Sequence, residues 1–216
     1  MRPQSKASLA PSEFLTELCN LRNKTIVLAS RSPRRKRLLE SVGLHFRVVP
    51  AQVSEAQPAA VEASTYARNL ARRKAHWVAD RTQADLIIGA DTIVVVGENV
   101  LEKPDNGEQA RAMLRTLSGR WHQVITGLCL LTPEKEIVDS VTTRVRFANL
   151  TDQEIEAYLR SGEPLDKAGA YGIQGLAALF IQEIQGCYYN VVGFPLPRFY
   201  QHLKTLWHPI RTSRKH

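Results

Sequence analysis

The sequence predicts an α/β protein built on a mixed β-sheet and arranged in two lobes. Three observations predict this class. A short apolar strand over residues 26–29 passes directly into a helix, and further strands alternate with helices as far as residue 117. Two long strands, 122–131 and 136–147, then form a hairpin around a Thr-Pro-Glu turn.

The stretch 26–37, which reads IVLASRSPRRKR, joins a strand to the start of a helix that is rich in basic residues. Ser32 is a favoured N-cap residue and Pro33 suits the first helical position, so a helix should run from here to Gly43. Free N–H groups and the helix dipole favour anions at such an end. The polar side chains placed there are Ser30, Arg31, Arg34 and Arg35. They favour a polyphosphate ligand; the alternative is an ordinary solvated basic face.

The other elements follow along the chain. We expect strands over residues 45–50, 86–92, 93–96, 100–101 and 179–184. We expect helices over 64–80 with Ser64 as the cap, from Asp105 or Asn106 to 117, and from Thr151 to 162 with Glu154 completing a capping box. A last helix holds Phe199, Leu203 and Leu206. The glycine-bearing stretch 166–175 is predicted to be a functional loop, and 188–197 a second irregular segment.

Asp91 is the most conspicuous residue, because it interrupts the apolar run 86–96. A carboxylate in such a run is costly unless it is paired or liganded. The alternative is a turn aspartate between two short strands. Lys74 lies beside Leu70 and Ala71 on its helix and can point inward, and the residue after Lys103 is a proline that keeps it extended.

Polar residues at positions where the pattern calls for apolar ones form one set: Ser30, Arg31, Arg34, Arg35, Glu55, Lys74, Asp91, Lys103, Lys167 and Gln174. Two carboxylates with several cations fit a metal–polyphosphate site, where oxygen ligands hold Mg²⁺ and Lys or Arg neutralise phosphate charge. The sequence contains no GxxxxGK[ST], GxGxxG, GxSxG or HExxH motif. The P-loop, kinase or Rossmann, Ser-His-Asp hydrolase and zinc-site interpretations therefore lose support.

The net charge of +8 is concentrated at the two ends. Removing the +5 of residues 198–216 and the +2 of residues 1–24 leaves +1 for 25–197, so the body offers no basic nucleic-acid surface. Three separated cysteines and no apolar run of about 18 residues argue against a disulfide framework, a zinc site or a membrane span. We therefore expect a cytoplasmic protein that binds neither nucleic acid nor membrane.

Three regions are expected along the chain. Residues 1–24 are interpreted as an N-terminal extension outside the core, residues 25–206 as a single domain, and residues 207–216 as a basic C-terminal tail. The extension has no secretory apolar region, and Glu13 and Glu17 argue against a mitochondrial presequence.

Six stretches in order resemble the Maf family of nucleoside triphosphate pyrophosphatases across nearly all of 25–206. They are LASRSPRR (28–35), GADTIV (89–94), LEKP (101–104), LSGR (117–120), SGEPLDKAGAYGIQG (161–175) and YYNVVGFPL (188–196). The resemblance implies hydrolysis of a nucleoside triphosphate to the monophosphate and pyrophosphate, a divalent metal (Mg²⁺, with Mn²⁺ or Co²⁺ as alternatives) and a homodimer. It also implies an inosine triphosphatase-like fold: an elongated mixed sheet flanked by helices, with a deep cleft between two lobes.

The resemblance also implies residue roles. Asp91 matches the proposed catalytic base and metal-side carboxylate, and Glu55 matches a second acid that shares the metal or orients water. Ser30, Arg31, Arg35, Lys74 and Lys103 match the phosphate-binding and catalytic set, and Arg34, Thr92 and Gln174 match positions tied to base selection. The KAGAYGIQG form of the late loop is similar to that of the branch acting on dTTP and UTP, not the branch acting on 7-methyl-GTP.

Two other functions remain open at this stage. A nucleotide-binding regulatory protein without turnover would need no pair of acids beside a triphosphate. A nucleic-acid-binding module would need basic residues interleaved with aromatic ones on one face.

Overall fold

The computed structural model describes residues 13–55 and 61–207. The strands are β1 (Ile26–Leu28), β2 (Arg47–Val48), β3 (Leu86–Val96), β4 (Asn99–Leu101), β5 (Trp121–Leu131), β6 (Glu136–Phe147) and β7 (Ile181–Gln185). The helices are α1 (Phe14–Leu18), α2 (Pro33–Ser41), α3 (Ala63–Ala79), α4 (Gly107–Leu117), α5 (Asp152–Arg160), α6 (Tyr188–Val192) and α7 (Leu196–Trp207).

The strands form one mixed sheet of seven strands in the order β2-β1-β3-β5-β6-β7, with β4 paired to β3. β1 is parallel to β2 and to β3, whereas the other pairings are antiparallel. The predicted α/β class with a mixed sheet is therefore confirmed, as is the long hairpin of β5 and β6. The segment 188–197, predicted as irregular, contains α6 and the start of α7.

β3 is a single eleven-residue strand with Asp91 near its middle, paired to Gly127 of β5. The sequence predicted two strands, 86–92 and 93–96, and left a turn aspartate as the alternative; both expectations are wrong. The strand continues because side chains alternate between the two sheet faces, and Asp91 lies on the face that α3 covers.

One edge of β3 pairs with β5, and the other edge is paired only at its two ends, which leaves room for a site. β1 pairs with β3 only as far as Ile88, and β4 begins to pair at Val94. In the described part of the chain, the β3 edge between these two positions has no strand partner. The segments that leave β1 and β4 both meet this gap, and so bring Ser30 and Lys103 toward Asp91.

The two faces of the sheet are covered differently. α3 crosses one face so closely that a Cβ on Gly127 would lie 2.1 Å from the carbonyl oxygen of Ala67. On the other face two hydrophobic clusters pack against opposite ends of β3. One joins Leu86 and Ile88 to α2 and α7, and the other joins Val94 and Val96 to α4 and α5. These clusters correspond to the two predicted lobes.

The N-terminal caps of α2 and α5 are those that the sequence predicts, whereas the cap of α3 is not. Ser32 caps α2 through a bond from the Arg35 backbone N–H, and Thr151 with Glu154 forms the predicted capping box on α5. The predicted cap of α3 is wrong: Glu62, not Ser64, is the N-cap residue. Its carboxylate accepts hydrogen bonds from the Ser64 hydroxyl and backbone N–H and from the hydroxyl and backbone N–H of Thr65, which lowers the pKa of Glu62 to about 2.

The N-terminal segment differs from the expectation that residues 1–24 lie outside the core. Leu15, Cys19 and Leu21 are buried in the cluster that contains α2 and α7. Residues 1–12 and 208–216, the outer part of the extension and nearly all of the basic tail, lie outside the described residues. None of the helices over 13–55 and 61–207 combines the length and apolarity that crossing a bilayer requires.

Candidate active site

A cleft of about 700 Å³ opens at the unpaired edge of β3. The structure brings together in it every residue of the sequence-predicted site: Ser30, Arg31, Arg34, Arg35, Glu55, Lys74, Asp91, Thr92, Lys103 and Gln174. Lys167 also lines it. The convergence is non-local, because these residues come from the segments after β1, β2 and β4, the start of α2, the middle of α3 and β3, and the segment after α5.

Lys74 connects the two predicted acids. Its Nζ atom lies 2.5 Å from Glu55 Oε1 and 2.5 Å from Asp91 Oδ1. Lys74 and Asp91 are buried, whereas about half of the Glu55 side chain is exposed. Burial raises the pKa of Glu55, but the hydrogen bond and charge of Lys74, helped by Lys103, outweigh it and hold that pKa below its usual value. The ammonium has three N–H donors, so one remains for a ligand.

Asp91 keeps one oxygen available. Its Oδ1 faces Lys74, while no described residue donates a hydrogen bond to its Oδ2. A buried carboxylate with one oxygen fixed and the other open to a cleft can accept a proton from a bound water molecule.

Arg35 lines the cleft and also holds three neighbouring residues in place through hydrogen bonds. Its guanidinium donates to the Gly193 carbonyl at 2.9 Å, to Ser30 Oγ at 3.0 Å and to Thr92 Oγ1 at 2.9 Å. Three of its five N–H groups are thus used, and two remain for phosphate. Burial lowers the pKa of Arg35, and the negative charge of Asp91 opposes that shift.

The predicted phosphate end of α2 presents donors of different kinds. Ser30 Oγ accepts bonds from the Ser32 backbone N–H and from Arg35, so its own hydroxyl proton is left to donate. Arg31 is exposed at the rim. The Nη1 atom of Arg34 lies 3.6 Å from Oδ2 of Asp166 on the other side of the cleft, and this ion pair joins the two walls.

Thr92, predicted to contribute to base selection, has its hydroxyl occupied by the protein. Its Oγ1 contacts Arg35, Thr126 Oγ1 at 2.9 Å and the Gly193 carbonyl at 3.3 Å. A hydroxyl has one proton and two lone pairs, so these three partners occupy all of its hydrogen-bonding positions. In this conformation the Thr92 hydroxyl is not available to a ligand, and the side chain contributes to the cleft as part of its wall. Gln174, in contrast, is exposed, and its side chain forms no hydrogen bond with the described residues.

Two cleft residues were missed by the sequence analysis, Tyr66 and Glu102. The Tyr66 hydroxyl donates to the backbone carbonyl of Glu55 and lies 3.0 Å from Glu102 Oε1. Burial raises the pKa of Tyr66, and the Glu102 carboxylate raises it further. The Tyr66 ring lies on the buried face of α3, where the helical pattern calls for an apolar residue, and its hydroxyl gives no separate signal in the sequence. Glu102 adjoins Lys103, and that proximity was its only clue.

The acids fit a magnesium ion that also binds substrate. Mg²⁺ is commonly held by one or two carboxylates together with substrate phosphates. Asp91 and Glu55 supply two carboxylates that already face one cation, the Lys74 ammonium. Within 13–55 and 61–207 no group of three or more His, Cys, Asp or Glu side chains is placed to hold a metal alone.

Comparison with known proteins identifies the class. The family model described as "Maf-like protein" matches residues 25–206, and the chain belongs to this family. Relatives named dTTP/UTP pyrophosphatase cover most of it. The one from Koribacter versatilis (strain Ellin345) is 49% identical over 179 residues, or 83% of this chain and 93% of the relative. The one from Thermococcus onnurineus (strain NA1) is 51% identical over 171 residues, or 79% and 92%. The one from Geobacillus sp. (strain WCH70) is 47% identical over 183 residues, or 85% and 98%.

Proposed function

We propose that this chain hydrolyses dTTP and UTP to the nucleoside monophosphate and pyrophosphate. The observation that carries the proposal is the arrangement at the gap in β3, where Asp91 and Glu55 share Lys74 beside the N-terminus of α2. The cations and the helix N-terminus match the negative charge of a triphosphate, and a carboxylate beside them can accept a proton from an attacking water molecule. The choice of dTTP and UTP as substrates comes from the names of the relatives, which are dTTP/UTP pyrophosphatases.

In the proposed reaction Asp91 accepts a proton from water through Oδ2 while Lys74 holds Oδ1. The water oxygen attacks the α-phosphorus, the bond from that phosphorus to the oxygen bridging to the β-phosphate breaks, and pyrophosphate leaves. Lys74, Arg35 and Lys103 stabilise the negative charge on the leaving group. Ser30 donates its hydroxyl proton to a phosphate oxygen, and Arg31 and the α2 backbone hold the remaining charge.

We propose that Asp91 and Glu55 hold a divalent metal, Mg²⁺ with Mn²⁺ or Co²⁺ as alternatives. When bound, such a metal supplies Lewis-acid polarisation of phosphate oxygens. Lys74 then keeps both carboxylates turned toward the substrate. Removing metal with EDTA should abolish pyrophosphate release, and adding Mg²⁺ back should restore it; undiminished turnover in EDTA would contradict this part of the proposal.

Base selection is proposed for Gln174, with Arg34 and Thr92 shaping the opposite wall. An amide offers both a donor and an acceptor to a pyrimidine edge. The Gln174→Ala variant should therefore lower the preference for dTTP over CTP more than it lowers kcat. The measurement is kcat/KM for each nucleotide, and an equal loss on all of them would count against the assignment.

We also propose a homodimer in the cytoplasm. Exposed Leu176 and Leu179 precede the edge strand β7, and Leu179 is 82% exposed, which favours an additional contact there. Sedimentation of the protein and of a Leu179→Asp variant tests this; a monomeric unmodified protein would refute the dimer.

The deciding experiment measures pyrophosphate release from dTTP, UTP, CTP, ATP, GTP and 7-methyl-GTP. Asp91→Asn should lower kcat at least about 100-fold, because a general base supplies roughly 10²–10⁴. Asp80→Asn, the same change on a side chain that is 73% exposed, is the matched control and should keep full activity. A loss below about tenfold in a folded Asp91→Asn protein would refute the base assignment.

The panel also separates the alternatives. Release from 7-methyl-GTP alone would keep the reaction and change the substrate. Nucleotide binding with no release from any member would instead favour a regulatory binder.

A further inference from the structure

The segment 163–176, here called the cleft loop, forms the wall that carries Lys167, Tyr171 and Gln174. It contains short 3-10 turns at Glu163–Asp166 and Ala168–Ala170, followed by a turn at residues 173–174 that a hydrogen bond from the Gly175 N–H to the Gly172 carbonyl closes at 3.0 Å. No helix ladder or strand pairing fixes its second half. The position of Gln174 therefore depends on this one turn and on the side-chain contacts that hold the turn against the rest of the lobe.

Glu163 closes the cleft loop. Its Oε2 accepts a hydrogen bond from the Leu176 backbone N–H at 2.9 Å, although Leu176 is thirteen residues further along the chain. Its Oε1 accepts a hydrogen bond from the Tyr158 hydroxyl at 2.9 Å. Because Tyr158 is buried in α5, one carboxylate ties both ends of the loop to the body of the lobe.

Gly175 leaves the space that this carboxylate fills. Its φ of −114° is accessible to any residue, so the backbone itself does not call for glycine. A Cβ at this position would lie 2.1 Å from Glu163 Oε1 and 2.4 Å from Oε2. The sequence therefore places a glycine against Glu163 for steric reasons.

Further contacts hold the first half of the loop. The Gly169 backbone N–H donates to the Glu102 carbonyl at 3.1 Å, and the Tyr171 hydroxyl lies 2.7 Å from His122 Nε2. These contacts fix the loop up to Tyr171, and the Glu163 carboxylate fixes it at Leu176. Gln174 lies between the two fixed points.

We propose that Glu163 is a positioning residue for selection of the nucleotide base. Its carboxylate sets the conformation in which the cleft loop presents the Gln174 amide to the cleft. Glu163 acts through Gln174 and does not itself contact the substrate. The inference rests on the proposed function, since it assumes a nucleotide whose base meets Gln174.

Two variants remove the contact by different routes. Glu163→Gln keeps the size of the side chain but removes its charge and turns one of the two acceptor oxygens into an amide donor, so either the Leu176 N–H or the Tyr158 hydroxyl proton loses its present acceptor. Gly175→Ala keeps the carboxylate and displaces it with a methyl group. Each should lower the ratio of kcat/KM for dTTP over CTP about tenfold, mainly through KM for dTTP, as expected for losing one hydrogen bond between the Gln174 amide and the base.

A coupling test distinguishes positioning from general damage. If Glu163 acts through Gln174, the double variant Glu163→Gln, Gln174→Ala should show the same ratio as Gln174→Ala alone. The matched control is Glu154→Gln, the same substitution in the capping box of α5. It should lower the melting temperature and leave the ratio unchanged.

The outcomes separate the two proposals. A dTTP preference retained in Glu163→Gln, or an equal loss for dTTP and CTP, would overturn the role of Glu163 alone. No base preference in the unmodified protein would overturn the proposed substrate and this inference together.

Discussion

Lowering the pH below about 6 should destabilise the protein through His122. This residue is 2% exposed, packs edge-on against Phe147 and Tyr171, and lies beneath the cleft loop. Burial lowers the pKa of His122 from 6.5 to about 4. Between those values the unfolded chain binds a proton that the native protein does not, so the free energy of unfolding falls as the pH falls.

The size of the effect follows from the two pKa values. Each pH unit well inside the window costs about 1.4 kcal/mol, so at about pH 5 His122 should remove about 2 kcal/mol of stability relative to neutral pH. The loss is complete only below about pH 4, where both states are protonated.

A His122→Gln variant isolates this contribution, because it keeps an amide near Tyr171 but does not titrate. Urea unfolding of both proteins at about pH 7 and pH 5 gives the pH dependence of each, and groups common to both cancel in the difference. The variant should lose about 2 kcal/mol less than the unmodified protein over this interval. Identical pH dependence in the two proteins would refute the reasoning.

Two further predictions concern α3 and its neighbours. Gly127→Ala should destabilise the protein by about 3 kcal/mol or more, because its methyl group would meet the Ala67 carbonyl; Gly107→Ala, which has open space, is the matched control in thermal unfolding. An unfolding curve for Gly127→Ala that overlays the control would contradict this. Tyr66→Phe should keep the buried ring, cost about 1 kcal/mol and lower kcat several-fold by releasing the Glu55 backbone. Unchanged kcat would show that this hydroxyl does not hold Glu55 in place.

Helix starts that depend only on a few neighbouring residues were predicted correctly. Ser32 and Pro33 begin α2, and Thr151 with Glu154 begins α5, because each cap is satisfied within three residues. The predicted cap of α3 is wrong because the helix begins two residues earlier than expected, where the Glu62 carboxylate accepts hydrogen bonds from the backbone N–H groups of Ser64 and Thr65.

Features that depend on distant contacts could not be read from the sequence. The strand through Asp91 stays intact because Lys74, seventeen residues away, pairs with the carboxylate. The burial of Leu15 and Leu21 depends on where α1 meets α2 and α7, which local pattern does not specify. Tyr66 and Glu102 likewise have a role only because helix and loop meet in space.

The continuous β3 strand also has a consequence for how stability is distributed. Asp91 is bonded on one side into the long β3–β5 ladder at the centre of the sheet, whereas Gln174, Lys103 and Glu55 lie in connecting segments. Backbone amides in central strands exchange with solvent only when much of the protein opens, but those of loops exchange through small local openings. We therefore expect slow amide exchange around the proposed proton acceptor, and faster exchange in the connecting segments that carry Gln174, Lys103 and Glu55.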